Sequence, residues 1–387
     1  MKSQESGEVT RTVAQEGSLR PLNEITPPVI FEELRRGVLG QDDALRYVSV
    51  ALYKHTTGKV PGNILLIGNS GTGKTTIMNN IQRLYHEVPE YAPFRAMTII
   101  NANLLVDGER LEFRPDRLLA AVEQRARAVI GHVPTAAELK AAMERATICI
   151  DEVDKMSAVV AGKPNAIGVV LQQGLLTLME GDKVPHSTHV LEGGEEKLRT
   201  LEIDTGGMMF ICGGAFEGLY DQVYLRVTTP GSGEKLRSTA VRTANGQVHI
   251  EARFVLGDFF KVDDLFQYGV VPQFTARFDN VVLLSDLNVD VLREILLQAV
   301  DSPFVRSRRF LEVMGIRLEI DDVAAALIAE QAEKQSRTGA RALRTIFGKI
   351  INPLEYDPAA SGALEPAQDG GSTLRVTAEM VREVLAL

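Results

Sequence analysis

The residues best suited to chemistry stand in two places along the chain. Gly68-Asn69-Ser70-Gly71-Thr72-Gly73-Lys74-Thr75 fits the pattern G-x-x-x-x-G-K-[ST] at every fixed position, and the apolar run Ile148-Cys149-Ile150 ends in the adjacent carboxylates Asp151 and Glu152. The first pattern suits a triphosphate: its glycines let backbone amides curl around phosphate oxygens, Lys74 reaches the outer phosphates, and the Thr75 hydroxyl can ligate Mg²⁺. The second suits phosphoryl transfer, with Asp151 holding the water shell of the cation and Glu152 orienting or deprotonating an attacking water.

Such groups work only if the chain brings them to one edge. Ile64-Leu65-Leu66-Ile67 is a short unbroken apolar run and reads as a buried parallel strand leading into the glycine-rich loop. Beyond the loop, Ile77, Ile81, Leu84, Tyr85 and Val88 recur at helical spacing, so the loop joins a strand to the N-terminus of an amphipathic helix. The run ending in Asp151-Glu152 reads as a second strand of the same sheet. Ligands of open α/β sheets bind at the C-terminal ends of the strands, which is where both motifs fall.

The rest of the chain frames these motifs. Its 387 residues are 45% hydrophobic and 24% charged, ordinary proportions for a globular protein of two or three domains. A formal charge of −9 argues against a dedicated nucleic-acid surface, and the densest basic cluster, Arg306, Arg308 and Arg309, reads as a solvated helix face. The two cysteines, Cys149 and Cys212, sit inside apolar runs and read as buried thiols of neighbouring strands, so neither a disulfide framework nor a zinc site is expected. The polar start Met1-Lys2-Ser3-Gln4-Glu5 lacks a signal-peptide core and no apolar run is long enough for a membrane span, so a cytoplasmic location is expected.

Periodicity divides the chain into a tail over 1–27, a large α/β unit over 28–286 and a small, mostly helical unit over 287–387, with a hinge at Leu284–Asn288. Strands are expected at Ala96–Ile100 and Met208–Ile211, and helices at Pro115–Ile130 and Thr135–Arg145. The latter opens on the capping-box pattern Thr135-Ala136-Ala137-Glu138. Within 222–262, Asn245-Gly246 between alternating stretches predicts a β-hairpin inserted into the α/β unit. A short strand near Thr373–Val376 and a helix over Ala378–Leu385 close the sequence.

Several blocks resemble the ClpX branch of the AAA+ ATPases, in that family's order: Val38-Leu39-Gly40-Gln41, Ala51-Leu52-Tyr53-Lys54-His55, Asp151-Glu152-Val153-Asp154-Lys155, Phe210-Ile211-Cys212-Gly213-Gly214-Ala215-Phe216, Gly269-Val270-Val271-Pro272-Gln273-Phe274-Thr275-Ala276-Arg277 and Thr338-Gly339-Ala340-Arg341. The resemblance implies a P-loop AAA+ large domain with a parallel sheet flanked by helices, plus a small, mostly helical C-terminal domain. It implies a hexameric ring of identical chains with ATP and Mg²⁺ between subunits. Gly68 to Thr76 would hold the nucleotide and Val38 and Leu39 would line the adenine pocket. Arg277 matches the arginine finger that reaches a neighbour's γ-phosphate, and Arg341 the second sensor.

Departures from the resemblance matter as much. No cysteine precedes Cys149, so the four-cysteine zinc domain of ClpX is not expected. The segment Asn101 to Arg110 carries no Gly-Tyr-Val-Gly pore loop, leaving the apolar pair Leu105-Val106 as a substitute. Residues 182–200, with Glu192, Glu195 and Glu196, do not match the basic loop that faces substrate, and no Ile-Gly-Phe tripeptide for docking ClpP stands near 224–262. A first sensor is not assignable, because Cys212-Gly213-Gly214 occupies its place. The expected activity is that of an ATP-driven protein-remodelling factor acting on a protein client or adaptor without ClpP. The alternatives are a nucleotide-dependent assembly scaffold and, on weaker grounds, a DNA-associated loader.

Overall fold

A computed structural model describes residues 20–59, 62–160, 162–242, 248–335, 338–359, 363–366 and 371–386. Its centre is a five-stranded sheet, β1 (Ile64–Ile67), β2 (Met97–Asn101), β3 (Thr147–Asp151), β4 (Met209–Gly214) and β5 (Asn280–Leu283). The spatial order is β5-β1-β4-β3-β2 and every pairing is parallel. The chain leaves β1 for the far edge and returns, so the C-terminal end of β1 lies at a crossover point, where open α/β sheets form their ligand crevice.

Alternation along these strands explains why they are apolar throughout. Leu65, Ile67, Ile148, Ile150, Phe210 and Cys212 face one buried cluster, while Ile64, Leu66, Met97, Cys149, Met209 and Ile211 face another. Helices cover both faces, as a fully parallel sheet requires. The two cysteines therefore lie on opposite faces of neighbouring strands, both buried, and burial pushes both thiols up. The helix Pro115–Ile130 falls where periodicity put it. The helix Ala136–Met143 starts on the Thr135–Glu138 capping box, with both reciprocal bonds formed.

A third cluster, from Leu287 to Val381, belongs to the C-terminal part. Five helices, Val289–Gln298, Pro303–Val313, Asp322–Glu333, Arg341–Tyr356 and Ala378–Leu385, pack there with a small sheet of Ile316–Ile320, Ser372–Val376 and Leu364–Pro366. The strand Ile316–Ile320 is an addition to the sequence reading; the terminal strand and helix lie where they were expected. Among the described residues, no helix is long and apolar enough to cross a membrane.

Three local expectations need correction. Most of the tail assigned to 1–27 lies outside the described residues, but its last part is packed: Ile25 is buried and Arg20 pairs with Glu90 at 3.0 Å. In the 222–262 segment, the helix Glu217–Thr228 takes the first residues, and among the described residues the β structure is Arg237–Arg242 and Val248–Arg253. Its Asn245-Gly246 turn lies outside the described residues. Residues 182–200, read only as mixed charge, belong to a hairpin of Lys183–Glu192 with Glu195–Asp204. Its turn is Gly193-Gly194, with φ of +67° and +85°, the left-handed geometry that matches the twist of paired strands. His186 and Thr188 on the buried side of the first strand donate to Glu123 of the helix Pro115–Ile130 and anchor the hairpin there.

Candidate active site

The glycine-rich loop emerges from β1 and ends in the helix Lys74–Glu87, as its flanking patterns require. Gly71 (φ +77°) and Gly73 (φ +109°) occupy conformations that a side chain makes costly, and these reversals turn successive backbone groups toward one side. Lys74 is buried, and its ammonium donates to the carbonyls of Gly68 and Asn69, the latter at 3.0 Å. Burial holds its pKa below the ordinary value; Asp151 and Asp154 oppose that lowering, and Arg341 adds to it.

Across the crevice, β3 ends beside the loop. The Thr75 hydroxyl donates to Asp151 Oδ2 at 2.8 Å, so two hard oxygen donors, one from each motif, lie in contact. That pairing fits Mg²⁺, which takes one or two protein oxygens and completes its shell with phosphate and water; the loop amides and Lys74 fit the phosphates. Among the described residues there is no cluster of His, Cys, Asp and Glu able to hold a metal by itself.

Glu152 stands at the turn after β3 in the left-handed region, φ +59°, and its backbone N–H donates to Asp151 Oδ1 at 2.9 Å. Its carboxylate accepts from Asn101 Nδ2 at 2.5 Å. Asn101 was read only as the start of a loop. It is the last residue of β2, and the β2–β3 register sets it opposite Asp151, which no local pattern could reveal.

β4 contributes glycines. A methyl group on Gly214 would fall 2.9 Å from both the backbone nitrogen and Oδ1 of Asp154, so the bare backbone lets Ala215 N–H donate to Asp154 Oδ1 at 3.1 Å. A methyl group on Gly213 would fall 2.9 Å from Met78 Cε and 3.7 Å from Lys74 Cβ and Cδ, so this strand end packs against the start of the loop's helix.

The remaining predicted residues divide. Arg341 is the first residue of its helix and donates to Ser70 Oγ at 2.6 Å, which brings the C-terminal part onto the loop. Ala340 N–H donates to Gly71 O at 3.1 Å beside it. Thr76, exposed on the first turn of the loop's helix, accompanies Thr75. Val38 is a buried core side chain and Leu39 is half-buried beside it. Arg277 has no partner among Lys74, Thr75, Asp151 and Glu152; its guanidinium pairs with Glu180, with both side chains about two-fifths exposed (42% and 40%).

The segment before Arg277 is nonetheless fastened to the turn after β3. Gln172 Nε2 donates to Met156 O at 2.6 Å and to Gly269 O at 3.1 Å, while its Oε1 accepts from Val271 N at 2.7 Å. The proposed gripping pair fails: Leu105 and Val106 are buried. Their segment folds as a short hairpin, Val106–Asp107 with Glu112–Phe113, and the apolar residue exposed at its tip is Leu111, at φ +51°.

The family model for the AAA domain (Cdc48 subfamily) matches residues 59–281, more than half of the chain. Among curated proteins, the chain is similar to the ATP-dependent Clp protease ATP-binding subunit ClpX of Bacteroides thetaiotaomicron, at 29% identity over 380 residues, covering 90% of this chain and 83% of that one. The protein of the same name from Bacteroides fragilis is 28% identical over 360 residues, covering 87% and 78%. That from Porphyromonas gingivalis is 27% identical over 373 residues, covering 89% and 82%.

Proposed function

The chain belongs to the AAA domain family (Cdc48 subfamily) and is a ClpX-like AAA+ ATPase, and from that premise we propose that it hydrolyses ATP with Mg²⁺ in a ring of identical subunits to remodel a protein partner. The contact between Thr75 and Asp151 carries the reading, because it joins the phosphate loop to the carboxylates at one crossover point. In this scheme Thr75 and Asp151 hold the cation, which neutralises phosphate charge when bound. The loop amides and Lys74 bind the phosphate chain. Glu152 accepts a proton from the attacking water, and Asn101 keeps its carboxylate in place.

Arg277 acts on the neighbouring subunit. Its guanidinium pairs with Glu180 in a part-exposed contact worth no more than about 1 kcal/mol, so releasing it to reach a neighbour's phosphates costs little. Arg341 reports loop occupancy to the C-terminal part through Ser70. Glu152→Gln is the test: ATP binding should persist while turnover falls by roughly 10²-fold or more. Turnover at the parental rate would refute the assignment.

The relatives are named as ATP-binding subunits of the Clp protease. We read this chain as working without that peptidase, since a two-stranded hairpin stands in the 222–262 segment where the docking tripeptide was sought. Burial of Leu105 and Val106 favours a second reading, in which ATP locks an assembly that holds its partner without pulling it. A fluorescent tagged client separates the two. ATP-dependent loss of its fold supports pulling; ATP-dependent binding with the fold kept supports the scaffold.

A further inference from the structure

Gln41 has no role in the scheme above, yet it is one of the most fully engaged polar side chains in the protein. It is 2% exposed. Its Nε2 donates to Thr72 O in the phosphate loop at 2.9 Å and to Ser285 O at 2.8 Å, and its Oε1 accepts from Ser285 N at 3.0 Å. Both amide hydrogens are used, and one carboxamide bridges the loop to the strap that leads from β5 into the C-terminal part.

The surroundings make this bridge a seam. Leu284 N–H donates to Ile67 O at 2.7 Å, and Asn69 Nδ2 donates to Asp286 Oδ1 at 3.0 Å, so the strap 284–286 runs along the loop on both sides of Gln41. A methyl group on Gly68 would fall 2.8 Å from Leu284 Cβ, and one on Gly40 would fall 2.4 Å from Val291 Cγ1 in the first C-terminal helix. Further along the loop, among the described residues, the C-terminal part bonds to Gly71 and Ser70. A loop that changes shape around phosphates shifts the Thr72 carbonyl, and Gln41 ties that carbonyl to both backbone groups of Ser285.

We propose that Gln41 is a positioning residue that couples nucleotide occupancy of the loop to the orientation of the C-terminal part, through the strap at Ser285. The inference rests on the ATP-binding reading and adds the route by which binding is transmitted. Packed elements joined by short bonded straps switch between discrete arrangements, which is what such a link requires.

The test uses the full chain carrying Gln124→Cys and Glu383→Cys, both at exposed positions, with donor and acceptor dyes attached; Cys149 and Cys212 are buried and do not compete. ATP with Mg²⁺ should change energy transfer in the parent. In Gln41→Met, affinity for a fluorescent ATP analogue should stay within about threefold, while the transfer response falls about fivefold or more and kcat drops with little change in KM. Gln41→Asn keeps the amide but shortens its reach, so it should show the same loss, and it carries the test if Gln41→Met does not fold. A full parental response in either variant, or a response lost only in proportion to lost ATP binding, overturns the proposal. A parent that binds no ATP removes the functional reading and this link together; a responsive parent matched by its Gln41 variants removes the link alone.

Discussion

Replacing Gly71 by alanine should damage this protein more than the same change at Gly73, although both residues belong to one loop and both have positive φ. Gly73 has nothing within 4 Å of an added methyl group, so Gly73→Ala suffers only the backbone strain, about 1–2 kcal/mol for an L-residue. At Gly71 the methyl would lie 2.3 Å from Thr338 O and 3.1 Å from the backbone nitrogens of Ala340 and Arg341. The Thr338 carbonyl would have to retreat by on the order of 1 Å to restore van der Waals separation. That movement breaks the Ala340 N–H bond to Gly71 O and draws Arg341 from Ser70. The backbone bond alone adds about 0.5–1.5 kcal/mol, for a total of roughly 1.5–3.5 kcal/mol. Thermal melting of nucleotide-free protein measures the cost, and hydrogen exchange locates it at the Ala340 amide. Equal destabilisation by the two substitutions, with Ala340 still protected in Gly71→Ala, would show that the C-terminal part is not seated on the loop in this way.

Further expectations concern the base and the buried core. Asn101→Ala frees the Glu152 carboxylate, and steady-state turnover should fall roughly 10-fold to 10²-fold while nucleotide affinity stays near the parental value; unchanged turnover would remove Asn101 from the site. His55 packs edge-on to Phe94 with Nε2 unpartnered, and burial lowers its pKa from 6.5 to about 4. The unfolded chain therefore takes up a proton that the native state refuses: stability is complete above pH 6.5 and drains away toward pH 4, by about 2 kcal/mol at pH 5 and about 3 kcal/mol at pH 4. Urea titrations at pH 7.5 and pH 5 should show a smaller loss in His55→Leu than in the parent; equal losses would mean that the ring is not the group being titrated.

What could be read from the chain, and what could not, follows from the range of the interactions. β1, its loop and its helix were legible because each is a run of neighbours with one period, and β3 was legible because its apolar run stops at two carboxylates. Leu105 and Val106 show the limit of local reading: an apolar pair after a strand has the same sequence signature whether it grips a partner or fills a core. The Gly193-Gly194 turn was legible in principle, since His186, Thr188 and Val190 alternate inward before it, but two of those three inward residues are polar, so the strand shows no apolar period. Asn101 and Gln41 were beyond reach. The first depends on the β2–β3 register, and the second on bonds between residues 244 apart.

In the mechanism proposed, each active site is shared, with Glu152 from one subunit and Arg277 from its neighbour. Glu152→Gln and Arg277→Ala proteins should each be nearly inactive alone. Mixed in equal amounts under conditions where subunits exchange, they should regain ATP hydrolysis, because about one site in four then pairs an intact Glu152 with an intact neighbouring Arg277. A mixture that exchanges subunits and stays as inactive as its components would contradict the account.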